Sequence, residues 1–149
     1  MENIDLTQPC PTCHRYPNRG VSIDVVIIKD RKILLVQRGA EPYKGFWATP
    51  GGYVSWDESA EQTVIREVKE ETNLDVSAPQ LVAVHSDPGR HPEQTINLVY
   101  YVSDVTGDLK HGDDALDAQW FPLSEIPERL ALDHAENIQE TIKKYLSKI

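Results

Sequence analysis

The sequence predicts an α/β fold, an α/β/α sandwich around a mixed β-sheet. Three observations carry this. Short apolar runs with strand composition lie on both sides of a single amphipathic segment, residues 59–72. That segment begins with a helix cap, and a second amphipathic segment closes the chain. Strands flanking one helix, with a further helix to cover the opposite face, bury both sides of a sheet.

The elements follow in order. Val21 to Ile28 and Lys32 to Arg38 predict a β-hairpin with Lys29-Asp30-Arg31 as its turn. Trp47 to Gly52 predicts one short strand. Ser59 to Thr72 predicts a helix, because Ser59 with Gln62 three residues on forms a capping box and Ala60, Val64 and Val68 recur every fourth position. Leu81 to His85 and Thr95 to Ser103 read as strands, and Ser124 to Leu130 as a short helix. Asp133 with Glu136 repeats the capping signature, and Ile138, Ile142, Tyr145 and Ile149 give the terminal helix its apolar stripe. Residues 1–20 form a tail ahead of one domain, residues 21–149.

The first helix is unusual for its charges. At about 100° per residue, Glu67 and Glu71 fall close to the line of Ala60 and Val64, and Glu70 lies at its edge. Carboxylates crowded beside a buried stripe repel one another and lose hydration, so a cation should offset them. Magnesium or manganese suits carboxylate oxygens, and Arg66 can brace Glu70 at the i, i+4 spacing. A solvated acidic helix is the plainer alternative.

The wider spacing favours the metal. Gly52, five residues, Glu58, seven residues, then Arg66-Glu67-Val68-Lys69-Glu70-Glu71-Thr72-Asn73-Leu74 resembles the Nudix box, G-x5-E-x7-R-E-U-x-E-E-x-G-U with U aliphatic. Asn73 stands where the family usually has glycine, and asparagine is the commonest substitute in a left-handed helix terminus. Lys44 to Gly52 and Ala118 to Leu123 also resemble family segments, so the likeness spans about Val21 to Pro127. It implies the sandwich fold and a metal-dependent pyrophosphohydrolase. Glu67, Glu70 and Glu71 would hold Mg2+ or Mn2+ with a carbonyl of Gly51 or Gly52, while Glu58 and Arg66 support the geometry. The family often places its general base on a loop after the box; Glu93, Asp113, Asp114 and Asp117 are available, and Asp113 and Asp114, after Gly112 in a polar loop, come first.

The segment His85-Ser86-Asp87-Pro88-Gly89-Arg90-His91-Pro92 resembles the S-x-P-x-R-x-P loop of ADP-ribose pyrophosphatase-like members, with His91 where aspartate is usual. Arg90 on this stiff loop would clamp a diphosphate through its planar fork. Arg38, Trp47 and Gly52 complete the substrate-binding candidates. ADP-ribose or a related nucleotide sugar is thus the expected substrate, ahead of a nucleoside triphosphate or NADH, and ahead of a non-catalytic ADP-ribose sensor or an acidic scaffold.

Cys10-Pro11-Thr12-Cys13 resembles the second knuckle of the zinc ribbon in NADH pyrophosphatase-like Nudix proteins, without the first knuckle. Zinc would need His14 and a fourth ligand from His85, His91, His111, His134 or another subunit. A tail with reduced thiols is the preferred reading.

Charge narrows the partners. A net charge of −9 argues against duplex nucleic acid and anionic membrane, which reward basic surfaces. The runs Val25 to Ile28 and Ile33 to Val36 are far shorter than the roughly 20 apolar residues that span a bilayer. A cytoplasmic enzyme acting on a small nucleotide is expected, and a homodimer is left open.

Overall fold

The computed structural model describes residues 5–146. Strands β1 (Val21–Lys29) and β2 (Lys32–Arg38) form the expected hairpin, closed by the pair Lys29 and Lys32. Lys29 belongs to the strand, so the turn is Asp30-Arg31 alone, both at positive φ (52° and 60°). Such a turn matches the twist of the strands it joins.

The stretch expected as one strand divides in two. Thr49-Pro50 separates β3 (Trp47–Ala48), which pairs with β2, from β4 (Gly51–Tyr53), which pairs with β1. Helix α1 (Ala60–Thr72) follows, with the capping box in place: Ser59 Oγ accepts from the Gln62 N–H at 3.1 Å, and Gln62 Oε1 accepts from the Ser59 N–H at 2.8 Å. Asn73 ends it at φ 64°.

Next come β5 (Asp75–Ser77), β6 (Gln80–His85), β7 (Ile96–Val102), β8 (Asp104–Thr106), β9 (Ala115–Pro122) and α2 (His134–Tyr145). The sheet is mixed: β1 pairs parallel with β7, while the other pairings are antiparallel. β5 and β8 form a separate two-stranded ribbon. The helix expected at 124–130 is only a short 3-10 turn, Leu123–Glu125. Ile126 precedes Pro127, which disfavours the helical backbone, and Ile126 is extended (φ −65°, ψ 131°). Ile149 lies outside the described residues.

Strand alternation sorts the core. Ile23, Val25 and Ile27 of β1 pack with Val64 and Val68 of α1, whereas Val26 and Ile28 pack with Ile138 of α2. Each such fully buried aliphatic contributes roughly 1.5–3 kcal/mol. Asp24 shares the α2 face with Val26, although its neighbours in the strand are apolar. Among the described residues, no helix is long and apolar enough to cross a membrane.

Candidate active site

The β1–β2 pairing extends only from the hairpin turn to Ile28 and Ile33. Farther along, β1 pairs with β4 through Ser22, Ile23 and Asp24, while β2 turns to β3 and β9. The divergence opens a cavity of about 610 Å³, walled by residues 22–24 on one side and 36–40 on the other. The carboxylates of α1 close one end.

Arg66 organises that end. Its guanidinium donates to both oxygens of Glu58 (2.8 and 3.0 Å), to Glu67 Oε1 at 2.9 Å, to Glu70 Oε2 at 3.3 Å and to the Tyr53 carbonyl at 3.2 Å. One planar cation thereby fixes the box loop to the helix. The Arg66 hydrogen bonds, then that of Thr63, hold the Glu58 carboxyl down at about 2.

Glu67 and Glu71 face the glycines of β4. A Cβ on Gly52 would collide with the Glu67 carboxylate, so a larger residue there would push that carboxylate out of its place. Glu71 Oε2 accepts from the Gly51 N–H at 3.3 Å. Burial, then the Glu67 charge, push the Glu71 carboxyl up to about 8. Burial also raises Glu67, against the opposing pull of Arg66. A deeply set, mutually repelling pair of carboxylates is a donor set that a divalent cation would satisfy.

Gly112 continues this frame. Its N–H donates to the Glu71 carbonyl at 3.0 Å, and a Cβ there would lie 2.7 Å from the Glu70 carbonyl oxygen. The close approach ties the Asp113-Asp114 loop to the end of α1. Both aspartates are exposed on the cavity rim. Glu93 instead accepts from the Tyr53 hydroxyl at 2.6 Å, and Asp117 is engaged by Gln119.

Arg38, Gly51, Gly52, Glu67, Glu70 and Glu71 also line the cavity. Trp47 does not: it packs edge-on against Phe121, with ring centroids 4.8 Å apart, in the core under α2. Arg38 Nε donates to the Pro42 carbonyl at 2.9 Å. Arg90 reaches the cavity, but its fork is already occupied. Nη1 donates to Asp133 Oδ2 at 2.9 Å and Nη2 to Thr95 Oγ1 at 3.1 Å, while Nε is buried without a hydrogen-bond partner among the described residues. The expected cap of α2 is corrected by the same contact. Asp133 makes no side-chain cap bond, because its carboxylate goes to Arg90.

Sequence reasoning missed the cavity floor. Asp24 Oδ2 accepts from Asn97 Nδ2 at 2.8 Å and from Asn137 Nδ2 at 3.1 Å, on β7 and α2 respectively. Ligand atoms of Asp24, Asp133 and His134 lie within 4.8 Å of one another, close enough for a cation. The signal was present: an aspartate and an asparagine interrupt otherwise apolar strand runs, and buried polar groups in strands need partners.

The cysteine turn is compact. Cys10 N–H donates to the Arg15 carbonyl at 2.7 Å and His14 N–H to the Cys10 carbonyl at 2.8 Å. Backbone N–H groups of Cys13 and Thr12 lower the Cys10 thiol. Three of the histidines considered as the fourth zinc ligand are hydrogen-bonded elsewhere, His134 with Thr49, His91 with the Glu93 N–H at 3.1 Å and His111 with the Gly112 carbonyl at 2.8 Å, and His85 Nε2 lies 3.4 Å from Glu140.

Comparison with known proteins gives three informative likenesses. The chain is 41% identical over 129 residues to an ADP-ribose pyrophosphatase of Methanocaldococcus jannaschii, covering 86% of this chain and 76% of that one. It is 32% identical over 129 residues to the NAD-capped RNA hydrolase NudC of Pseudomonas aeruginosa, covering 85% of this chain but only 45% of that protein. The NUDIX domain of Shewanella oneidensis NrtR, solved with ADP ribose, superposes with a TM-score of 0.77 at 26% identity, covering 93% of this chain and 95% of that one. The model of the NUDIX domain matches residues 18–144, and with the box carboxylates gathered at the cavity the chain belongs to the NUDIX family.

Proposed function

We propose that the protein hydrolyses the pyrophosphate bond of a nucleoside diphosphate linked to a second group, with ADP-ribose the first candidate. The observation that carries the reading is the meeting of Glu67 and Glu71 with Gly51 and Gly52 at the end of a nucleotide-sized cavity. The 41% identity to an ADP-ribose pyrophosphatase supports the substrate class.

Glu67, Glu70 and Glu71, with a carbonyl of Gly51 or Gly52, would hold Mg2+ or Mn2+. When bound, such an ion supplies polarisation of the phosphoryl oxygens and counter-charge for the departing phosphate. The protein's own part is positioning. Arg66, anchored by Glu58, holds Glu67 and Glu70 in place by direct hydrogen bonds, and Gly112 holds the Asp113-Asp114 loop beside them. Either aspartate can accept the proton of an attacking water from the rim. The tail cysteines are read as reduced thiols. The acidic surface suits a small-molecule partner in the cytoplasm, away from duplex nucleic acid and membrane, and a homodimer stays open.

The test is product release from a panel of ADP-ribose, NADH, ADP-glucose and nucleoside triphosphates with magnesium or manganese. AMP and ribose 5-phosphate from ADP-ribose, abolished by Glu71→Gln, is the expected result. Preferential turnover of NADH or a triphosphate would move the substrate assignment, and no metal-dependent turnover of any of them would overturn the reading.

A further inference from the structure

The floor of the cavity is built as carefully as its metal end, and with different chemistry. Ser22 Oγ donates to Asn97 Oδ1 at 2.9 Å, which orients the Asn97 amide so that its Nδ2 donates to Asp24 Oδ2. Asn137, fully buried, gives its Nδ2 to the same oxygen. Asp24 Oδ2 is therefore saturated, and Oδ1 takes no hydrogen bond from the described residues. Asp133 is used in the same way: Oδ2 is held by Arg90, and Oδ1 takes no hydrogen bond from the described residues.

His134 stands between them with its side chain only 7% exposed. The Thr49 N–H donates to His134 Nδ1 at 2.9 Å, so in the neutral ring the proton resides on Nε2. Nε2 lies 3.9 Å from Asp24 Oδ1, beyond hydrogen-bond reach. The floor thus offers two open carboxylate oxygens and one open imidazole N–H. Asn137 Oδ1, also buried, has no hydrogen-bond partner among the described residues.

Ligand classes can be sorted by these three groups. A phosphate would meet two carboxylates. A metal ion would meet the hydrogen on Nε2, because Nδ1 cannot carry the proton while the Thr49 N–H points at it. An apolar group would leave all three polar groups unpaired in a site that excludes most water. An aminopurine edge also reaches all three, with one amine N–H on each carboxylate and a ring nitrogen on Nε2, but binding through it would be indifferent to the loss of a sugar hydroxyl. Two adjacent hydroxyls fit all three: each donates to one carboxylate, and a lone pair accepts from Nε2.

We infer that Asp24, Asp133 and His134 form a subsite for a vicinal diol of the substrate's sugar. The inference rests on the proposed hydrolysis of a sugar-bearing nucleoside diphosphate and adds which part of that molecule the floor holds. It also gives Arg90 a role apart from phosphate binding, since its guanidinium neutralises and aims the Asp133 carboxylate.

The experiment compares ADP-ribose with two analogues, each lacking both the 2- and the 3-hydroxyl of one of its two riboses. Binding is measured calorimetrically on the metal-free protein, and kcat and KM are measured with magnesium. In the wild type, one analogue should lose at least about 10- to 100-fold in affinity, the loss expected for even one hydrogen bond to a charged group. Asp24→Asn keeps an oxygen for Asn97 and Asn137 but turns an amide N–H into the cavity. It should weaken ADP-ribose by a similar factor and lose nothing more on that analogue. His134→Gln should show the same lack of additivity, and serves if Asp24→Asn does not fold.

Equal binding of all three ligands to the wild type overturns the diol subsite, as do losses that multiply. So does a manganese titration in which Asp24→Asn removes a bound ion that Glu71→Gln retains. Failure of the enzyme reading looks different. Discriminating binding with no hydrolysis under any metal would leave the diol subsite standing and remove the catalytic assignment.

Discussion

Arg90 Nη1 lies 2.9 Å from Asp133 Oδ2, which ties the loop between β6 and β7 to the first turn of α2. The two side chains are 16% and 18% exposed, so the pair is largely withdrawn from water. Arg90→Ala should destabilise the protein by about 2 kcal/mol, because it leaves the Asp133 charge with little solvent. It should also raise KM for ADP-ribose, and Arg90→Lys should recover only part of either loss. Urea melts and steady-state kinetics measure both, and unchanged melting midpoints would remove the brace.

Glu67→Gln and Glu71→Gln should each lower kcat by ~100-fold or more while leaving the circular dichroism spectrum in place. Both side chains sit against β4, so the amides fit the same space. Activity within a few-fold of wild type at saturating magnesium would show that α1 is not the catalytic element.

The raised Glu71 carboxyl sets a pH dependence. Its folded value of about 8 lies above the ordinary 4.5, so the folded metal-free state binds the proton more tightly than the unfolded chain does. Stability from this group is full below pH 4.5 and declines as pH rises towards 8. The depressed Glu58 carboxyl acts in another window, contributing above pH 4.5 and losing its contribution as pH falls towards 2. Melting temperatures of chelator-treated protein should fall between pH 5 and 8, and Glu71→Gln should flatten that fall. Magnesium should stabilise more at pH 8 than at pH 6, since it no longer competes with a proton. A wild-type profile parallel to that of Glu71→Gln would refute the assignment.

Asn73 holds a left-handed backbone and also donates its Nδ2 to the Asp108 carbonyl at 2.9 Å. Asn73→Gly relieves the backbone and loses that bond, so it should be within roughly 0.5 kcal/mol of neutral. Asn73→Val should cost about 1–2 kcal/mol, because a β-branched residue resists positive φ. Equal denaturation midpoints for the two variants would contradict this.

What the sequence revealed follows from what is local. The hairpin and α1 with both its termini were legible because turn, cap and period lie within a few residues of one another. β5 and β8, three residues each, are too short for a period, and β9 is half-buried without clean alternation. The metal end of the site was legible as a contiguous motif. The floor was not, because Asp24, Asn97, His134 and Asn137 belong to three distant elements, and a polar residue within an apolar strand run does not say which partner it meets. Arg90 and Asp133 were both noticed, but for roles that their mutual ion pair modifies.

The parallel pairing of β1 with β7 has a cost in time. Ile23 aligns with Leu98, and Asp24 then bonds to Asn137, 113 positions away. Helix α1 and the hairpin can form from neighbouring residues in microseconds, whereas contacts of such long separation must first close large loops. Helix α1 can therefore begin to form before the cavity floor exists, although its stability comes from packing on the sheet. The pocket becomes able to distinguish ligands only when the last helix has docked, so ligand selectivity should be the last property the folding chain acquires.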